Sequence, residues 1–174
     1  MLKKKAKFFC IFLSLMIISE ISFSIEPNIF VQSTVNRASQ ILSDSISKSE
    51  KIEKLKLVAK DTVDIDGIGF YTLGKYRKSL DDAEKEKYSE LFREYFLKSF
   101  SSRLAEYTNP KIDVQSQEKL NEKYTIVSSI LVATENRPEV KIQWRIYTKD
   151  PNKPMIRDLI IEGLSLARTQ KEEF

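Results

Sequence analysis

Along the first half of the chain apolar residues recur three and four apart; along the second half they alternate with polar ones. From Asn28 to Ile46 the apolar positions are Phe30, Val31, Val35, Ala38, Ile41, Leu42 and Ile46, one stripe of a helix. Ser47-Lys48-Ser49 breaks the stripe, and Ser49 is the candidate N-cap of a second helix carrying Ile52, Leu55, Val58 and Ala59. A short third segment, Ile65 to Leu73, stops at Gly74, where glycine can take the left-handed conformation that closes a helix. Ser79-Leu80-Asp81-Asp82 reads as a capping box with Asp in the place of Glu. It opens the most regular stretch of the chain, with Tyr88, Leu91, Phe92, Tyr95, Phe96, Phe100, Leu104 and Tyr107 on one face. Lys87, Glu90, Glu94 and Lys98 fill the other face, and Asn109-Pro110 ends the helix.

Four strands are expected beyond it. Ile112 and Val114 alternate with Lys111, Asp113 and Gln115; Tyr124 to Thr134 is apolar on both faces in its middle. Val140, Ile142, Trp144 and Ile146 alternate cleanly with Lys141, Gln143, Arg145 and Tyr147, and Met155 to Ile161 is apolar around Asp158. Glu135-Asn136-Arg137-Pro138 and Asp150-Pro151-Asn152-Lys153-Pro154 have turn chemistry, and short turns imply antiparallel neighbours. Leu164 to Phe174 reads as a short helix or a frayed tail. Helices followed by strands make an α+β domain, with the helices packed on a curved four-stranded antiparallel sheet. A sheet that bends away from its helices encloses an apolar pocket.

The first residues change the picture of charge. Lys3, Lys4, Lys5 and Lys7 precede an apolar run from Phe8 to Ile18, and Ser22-Phe23-Ser24 supplies small residues at signal-peptidase spacing. Residues 1–24 are therefore expected to be a cleaved signal peptide, and residues 25–174 a single domain. The only cysteine, Cys10, lies in that leader behind Phe9, which is not the small residue a lipoprotein signal needs. The whole chain has 29 basic and 25 acidic residues; without Lys3, Lys4, Lys5, Lys7 and Glu20 it has 25 and 24. A domain this close to neutral gives no sign of nucleic-acid binding. The chain has no histidine, which removes imidazole bases, imidazole metal ligands and Ser-His or Cys-His pairs.

The remaining candidate chemistry is sparse. Asp61, Asp64 and Asp66 crowd the start of the third segment, either as a cation or acid–base site or as acids favoured at a helix N-terminus. Asp158, among apolar residues, is either a buried acid or the partner of Arg145, Arg157 or backbone N–H groups. Lys48, Lys51, Lys54, Lys56 and Lys60 crowd the second helix with Glu50 and Glu53 between them, as a solvated face or an anionic-surface contact. The aromatic stripe is core, or part of it lines a cavity for an apolar ligand. Phosphate-loop, dinucleotide and zinc motifs are absent from the sequence.

Three stretches resemble the MlaC, or toluene-tolerance, family of periplasmic phospholipid-binding proteins. They are Val63-Asp64-Ile65 with Tyr71-Thr72-Leu73-Gly74-Lys75-Tyr76-Arg77; the aromatic helix Tyr88 to Tyr107; and Asp158-Leu159-Ile160-Ile161-Glu162-Gly163-Leu164-Ser165-Leu166, with Phe174. The resemblance implies an NTF2-like domain opened into a lipid pocket. It implies a periplasmic carrier shuttling phospholipid between outer and inner membranes to maintain lipid asymmetry. Its partners would be an outer-membrane lipoprotein–porin complex and an inner-membrane ABC transporter with an MCE ring. On that reading acyl chains lie between the aromatic helix and the inner sheet face, lined by Ile65, Leu73, Phe92, Tyr95, Phe96, Phe100, Ile126, Ile130, Ile142, Trp144, Ile146 and Ile160. The expectation is a monomer without catalytic residues, cofactor, metal or nucleic-acid partner. The alternative is an NTF2-like enzyme or an adaptor acting on a small apolar ligand.

Overall fold

The computed structural model describes residues 24–174, so the segment read as a signal peptide, with Cys10, falls outside the described residues apart from Ser24. Helix α1 (Pro27–Ser43) enters through a proline in its first turn, where the missing N–H is not needed. It ends three residues before Ile46, because Asp44 is extended and its carboxylate accepts from the Ser45 N–H. Helix α2 (Lys48–Thr62) begins at Ser47 rather than at Ser49. The Ser47 hydroxyl accepts from the Glu50 N–H at 3.2 Å, and the Glu50 carboxylate accepts from the Ser47 N–H at 3.0 Å. Only Ser47 has a glutamate three residues on, so only Ser47 closes this reciprocal cap.

Helix α3 (Ile65–Thr72) is capped by Asp64, whose Oδ1 accepts from the Gly67 N–H at 2.9 Å. Gly74, with φ +53°, turns the chain out of α3 into a 3-10 turn, η1 (Gly74–Lys78). Helix α4 (Asp82–Leu104) is capped by Asp81 and Glu84, at 2.8 and 2.9 Å, and not by Ser79, whose hydroxyl donates to the Tyr76 carbonyl.

The sheet is antiparallel with strands in chain order: β1 (Ile112–Asn121), β2 (Tyr124–Leu131), β3 (Val140–Tyr147), β4 (Met155–Ile161) and β5 (Leu164–Ser165). Among the described residues there are therefore five strands, not four. The extra one pairs on β4 through a two-residue turn, Glu162-Gly163, in which both residues have positive φ, the geometry that suits a tight hairpin. Strand β1 also runs past Gln115 to Asn121. Its polar far half is held by backbone pairing with β2, not by burial. The last segment is a helix, α5 (Leu166–Glu173), capped by the Ser165 hydroxyl.

Register decides which side chains share a face. Val127 lies opposite Trp144, Ser129 opposite Ile142, Leu131 opposite Val140, and Leu159 opposite Trp144 from the other side. These residues, with Ile112, Val114, Ile146 and Ile156, make the inner face. Helix α1 packs on β1 and β2, α3 and α5 pack on β4, and α4 packs on α2 and α3. One apolar cluster joins Val31 and Val35 of α1, Ile65 and Ile68 of α3, and Phe92 and Leu97 of α4 to the inner face.

Candidate functional site

The inner face and the aromatic stripe of α4 belong to one apolar body. Its fixed end is well packed. Trp144 is buried, and its indole N–H donates to the Ser129 hydroxyl at 2.8 Å, so its polar atom is satisfied without leaving the core. Gly69 lets α3 approach α4: a Cβ there would stand 2.6 Å from Cδ1 of Phe92. One turn away, the Thr72 hydroxyl donates to the Gly69 carbonyl at 2.7 Å and meets the Tyr88 hydroxyl at 2.6 Å.

The other end is looser. Along α4 the rings of Tyr88, Phe92, Phe96 and Phe100 stack at 5.9, 6.2 and 5.3 Å, each pair four residues apart. Phe92 is buried, but Phe96 and Phe100 are only half-buried. They join Phe30 of α1, Ile112 and Val114 of β1, and Val140 of β3 as half-buried side chains packed against the central cluster. Large apolar groups thus form a partly solvated seam at the margin of the core.

The expected lining residues divide by position. Ile65, Leu73, Phe92, Ile142, Trp144 and Ile146 are buried, and Phe96 and Phe100 stand at the seam. Tyr95 is 42% exposed on the flank of α4, its ring edge-on to Phe174 at 5.7 Å. Ile126, Ile130 and Ile160 are not brought together with Trp144. They pair across the ladders with Arg145, Lys141 and Gln143, on the opposite face of the pleat. Ile130 and Ile160 line a shallow depression there, of about 290 Å³, with Ser128, Gln143 and Glu162. Phe30, Val127, Leu131 and Leu159 belong to the apolar body and are not among the lining residues expected from the sequence. Pairing β2 against the alternating β3 is the signal that finds Val127 and Leu131.

A second depression, of about 370 Å³, opens between α3, the β1–β2 hairpin and β4, with Tyr71, Leu120, Tyr124, Arg145, Arg157 and Asp158 among its lining residues. Its polar groups are engaged with one another. Strand β4 carries one extra residue, Arg157, between Ile156 and Asp158, which lets Ile156 and Leu159 both take the inner face and leaves Arg157 and Asp158 side by side in the depression. The Arg157 Nε donates to Asp64 Oδ2 at 2.6 Å, a terminal nitrogen donates to the Tyr124 hydroxyl at 3.0 Å, and the guanidinium lies 3.9 Å from the Tyr147 ring centroid. Burial alone would lower the Arg157 pKa, but the hydrogen bonds to Asp64 and Tyr124, and their charge, push it above its ordinary value.

Asp158 is 4% exposed. Its Oδ2 accepts from the Ser165 hydroxyl at 2.6 Å and its Oδ1 from the Ala167 N–H at 3.0 Å, while Arg145 stays 3.8 Å away. The carboxylate therefore fastens the start of α5 to the sheet. Asp66 pairs with Arg93 and Asp61 with Arg37, each at 2.7 Å, which uses the remaining crowded acids as surface ion pairs. Among the described residues no group of three His, Cys, Asp or Glu side chains is placed to hold a metal ion, and no helix is long and apolar enough to cross a membrane.

A family model described as MlaC protein matches residues 32–174. The chain belongs to the MlaC family. The MlaC match begins inside α1 and takes in every later element, so the aromatic helix, the Asp64 cap and the Asp158 anchor all lie within it. The chain is also similar to a solved structure, that of the phospholipid-binding protein from Ralstonia solanacearum in complex with a phospholipid. The TM-score is 0.70 at 17% identity, covering 86% of each chain. At that identity the likeness is one of fold.

Proposed function

We propose that this protein is a phospholipid carrier of the periplasm, which residues 1–24 direct there as a cleaved signal and in which residues 25–174 act as one lipid-binding domain. The observation that carries this reading is the seam of half-buried aromatic and aliphatic side chains along α4 and the inner sheet face. Membership of the MlaC family supports it, as does a fold shared with a protein that holds a phospholipid. Acyl chains lie against Phe96 and Phe100 and reach inward towards Phe92, Ile65, Leu73, Ile142, Trp144 and Ile146 as α4 and α1 yield. Each buried methylene contributes about 0.8 kcal/mol, so one chain of roughly fifteen methylenes contributes about 12 kcal/mol. That figure is relative to a chain in water, so it is what keeps a lipid in the protein once it has left a membrane.

The protein works by binding. Asp64 and Asp158, the carboxylates with the best claim to acid–base work, have their oxygens committed to Gly67, Arg157, Ser165 and Ala167. Delivery runs between an outer-membrane lipoprotein–porin complex and an inner-membrane ABC transporter with an MCE ring, which together maintain lipid asymmetry.

The test is the lipid recovered with the purified protein. Phe96→Asp and Phe100→Asp should each lower the phospholipid extracted per chain at least severalfold, with Leu57→Asp, at an exposed position of α2, as the control. Phe100→Gln repeats the test without a charge. Unchanged lipid in folded Phe96 and Phe100 variants, judged by circular dichroism, overturns the assignment of the seam.

A further inference from the structure

We propose that the turn joining α3 to α4 is a docking surface for anionic lipid bilayers, separate from the seam that holds acyl chains. Phe70, Tyr71 and Tyr76 expose 47, 41 and 54% of their surfaces. Each lies under a cation: Arg77 is 5.2 Å from the Phe70 ring centroid, Lys171 5.1 Å from Tyr71, and Lys75 5.3 Å from Tyr76. The patch is continuous. Arg77 Nε donates to the Gly74 carbonyl at 3.0 Å, and a Cβ on Gly74 would stand 3.1 Å from the Lys171 side chain. Gly74, at φ +53°, is what bends the chain so that one short segment presents all three rings.

Charge identifies the occupant. Among the described residues, Lys75, Arg77, Lys78 and Lys171 make no ion pair with a carboxylate. On α2 three of the five lysines, Lys48, Lys54 and Lys56, pair with acids, and Lys51 donates to the Leu42 carbonyl. The acids nearest in sequence to Lys75, Arg77 and Lys78 are already engaged, Asp81 and Glu84 in the reciprocal cap of α4 and Asp82 with Lys85, whereas Lys171 is followed by the exposed Glu172 and Glu173. The turn, exposed from Lys75 to Ser79, thus carries three cations without a carboxylate partner, Lys75, Arg77 and Lys78, the first two resting on aromatic faces. Tyrosine and phenylalanine beside lysine and arginine suit the level of lipid head groups, where rings meet the acyl boundary and cations meet phosphate. The three rings and four cations of this patch are few beside the roughly 20–30 residues a side of a standard protein interface. On a flat anionic surface, where attraction adds over cations, the same turn gives weak and reversible binding.

Vesicle co-sedimentation tests this, using protein expressed from its full coding sequence. Vesicles are phosphatidylcholine alone, or phosphatidylcholine and phosphatidylglycerol in equal amounts. Binding is expected only to the anionic vesicles, and it should fade towards about 1 M salt, where the Debye length is ~3 Å. Neutralising one cation should weaken partition about fivefold, and Lys75→Gln, Arg77→Gln and Lys171→Gln together about a hundredfold. Tyr76→Ser, which keeps every charge, should weaken it severalfold. Failure to bind anionic vesicles overturns the proposal, as does equal binding by all variants. So does a cross-linker placed at Tyr76 that finds an acidic protein while vesicles leave it untouched. Sedimentation reads bound protein, not lipid taken up, so failure here leaves the carrier reading to its own test.

Discussion

Asp158→Ala should be among the most damaging single substitutions, and its size follows from the partners of Asp158. The carboxylate accepts two hydrogen bonds, from the Ser165 hydroxyl at 2.6 Å and the Ala167 N–H at 3.0 Å. Hydrogen bonds to charged groups are worth about 1.5–3 kcal/mol each, so their loss removes roughly 3–6 kcal/mol. Relief of carboxylate desolvation returns some of this, and the orphaned Ala167 N–H subtracts again. A net loss of about 3 kcal/mol is expected. Arg145 is half-exposed and 3.8 Å away, so Arg145→Ala should lose less than ~1 kcal/mol. Ser165→Ala removes one of the two bonds, together with the α5 cap, and should fall between them, near 1.5 kcal/mol. Urea denaturation of the three variants measures this order. For a domain of this length the Asp158→Ala loss corresponds to a fall in Tm of roughly 6–12 °C. If Arg145→Ala costs as much as Asp158→Ala, or if Asp158→Ala costs under 0.5 kcal/mol, the carboxylate does not fasten α5.

Gly69→Ala should destabilise by about 1–3 kcal/mol through the clash of its Cβ with the Phe92 ring, measured by urea denaturation. Gly163→Ala meets no atom but forces alanine to φ +84°, so it should cost ~1 kcal/mol through the backbone alone. The Ser47 hydroxyl, then the Ser47 N–H, hold the Glu50 pKa below its usual 4.5. A group depressed in the folded state adds stability above its unfolded value and loses it as pH falls through the folded one. The protection factors of the Ser47 and Glu50 amides, taken against the intrinsic exchange rate at each pH, should therefore fall only below pH 4.5, and Glu50→Gln should abolish that dependence while keeping the cap.

Helices α1 and α2 and strand β3 were legible because one face of each meets the core, so burial leaves a period in the sequence; along α4 the expected stripe takes in the exposed Leu91 and Tyr95 and leaves out the buried Leu97. Strand β2 carries apolar residues on both faces, and periodicity says nothing about which face Ile126 and Ile130 take. Only pairing with β3 separates them from Val127 and Leu131. The extra residue at Arg157 leaves no local signature, yet it sets Asp158 opposite Arg145 while Ile156 and Leu159 both stay on the inner face. The caps of α2 and α4 are present in the sequence as Ser47 with Glu50 and Asp81 with Glu84. Counting three residues on to the glutamate finds both, whereas a serine or aspartate near the break does not by itself mark the cap. Half-burial of Phe96 and Phe100, the feature that distinguishes a seam from plain core, depends on how far α4 stands from the sheet. No spacing along α4 encodes that distance.

Native mass spectrometry of the protein recovered without detergent, from cells expressing the full coding sequence, tests lipid carriage most directly. Carriage predicts a mature chain beginning near Ile25 and carrying phospholipid at about one molecule per chain. Spectra of wild-type protein and of Phe96→Asp, recorded at matched concentration, should show the lipid-bound mass in the first and its depletion in the second. A chain that is always empty, and that takes up no added phospholipid, would contradict it.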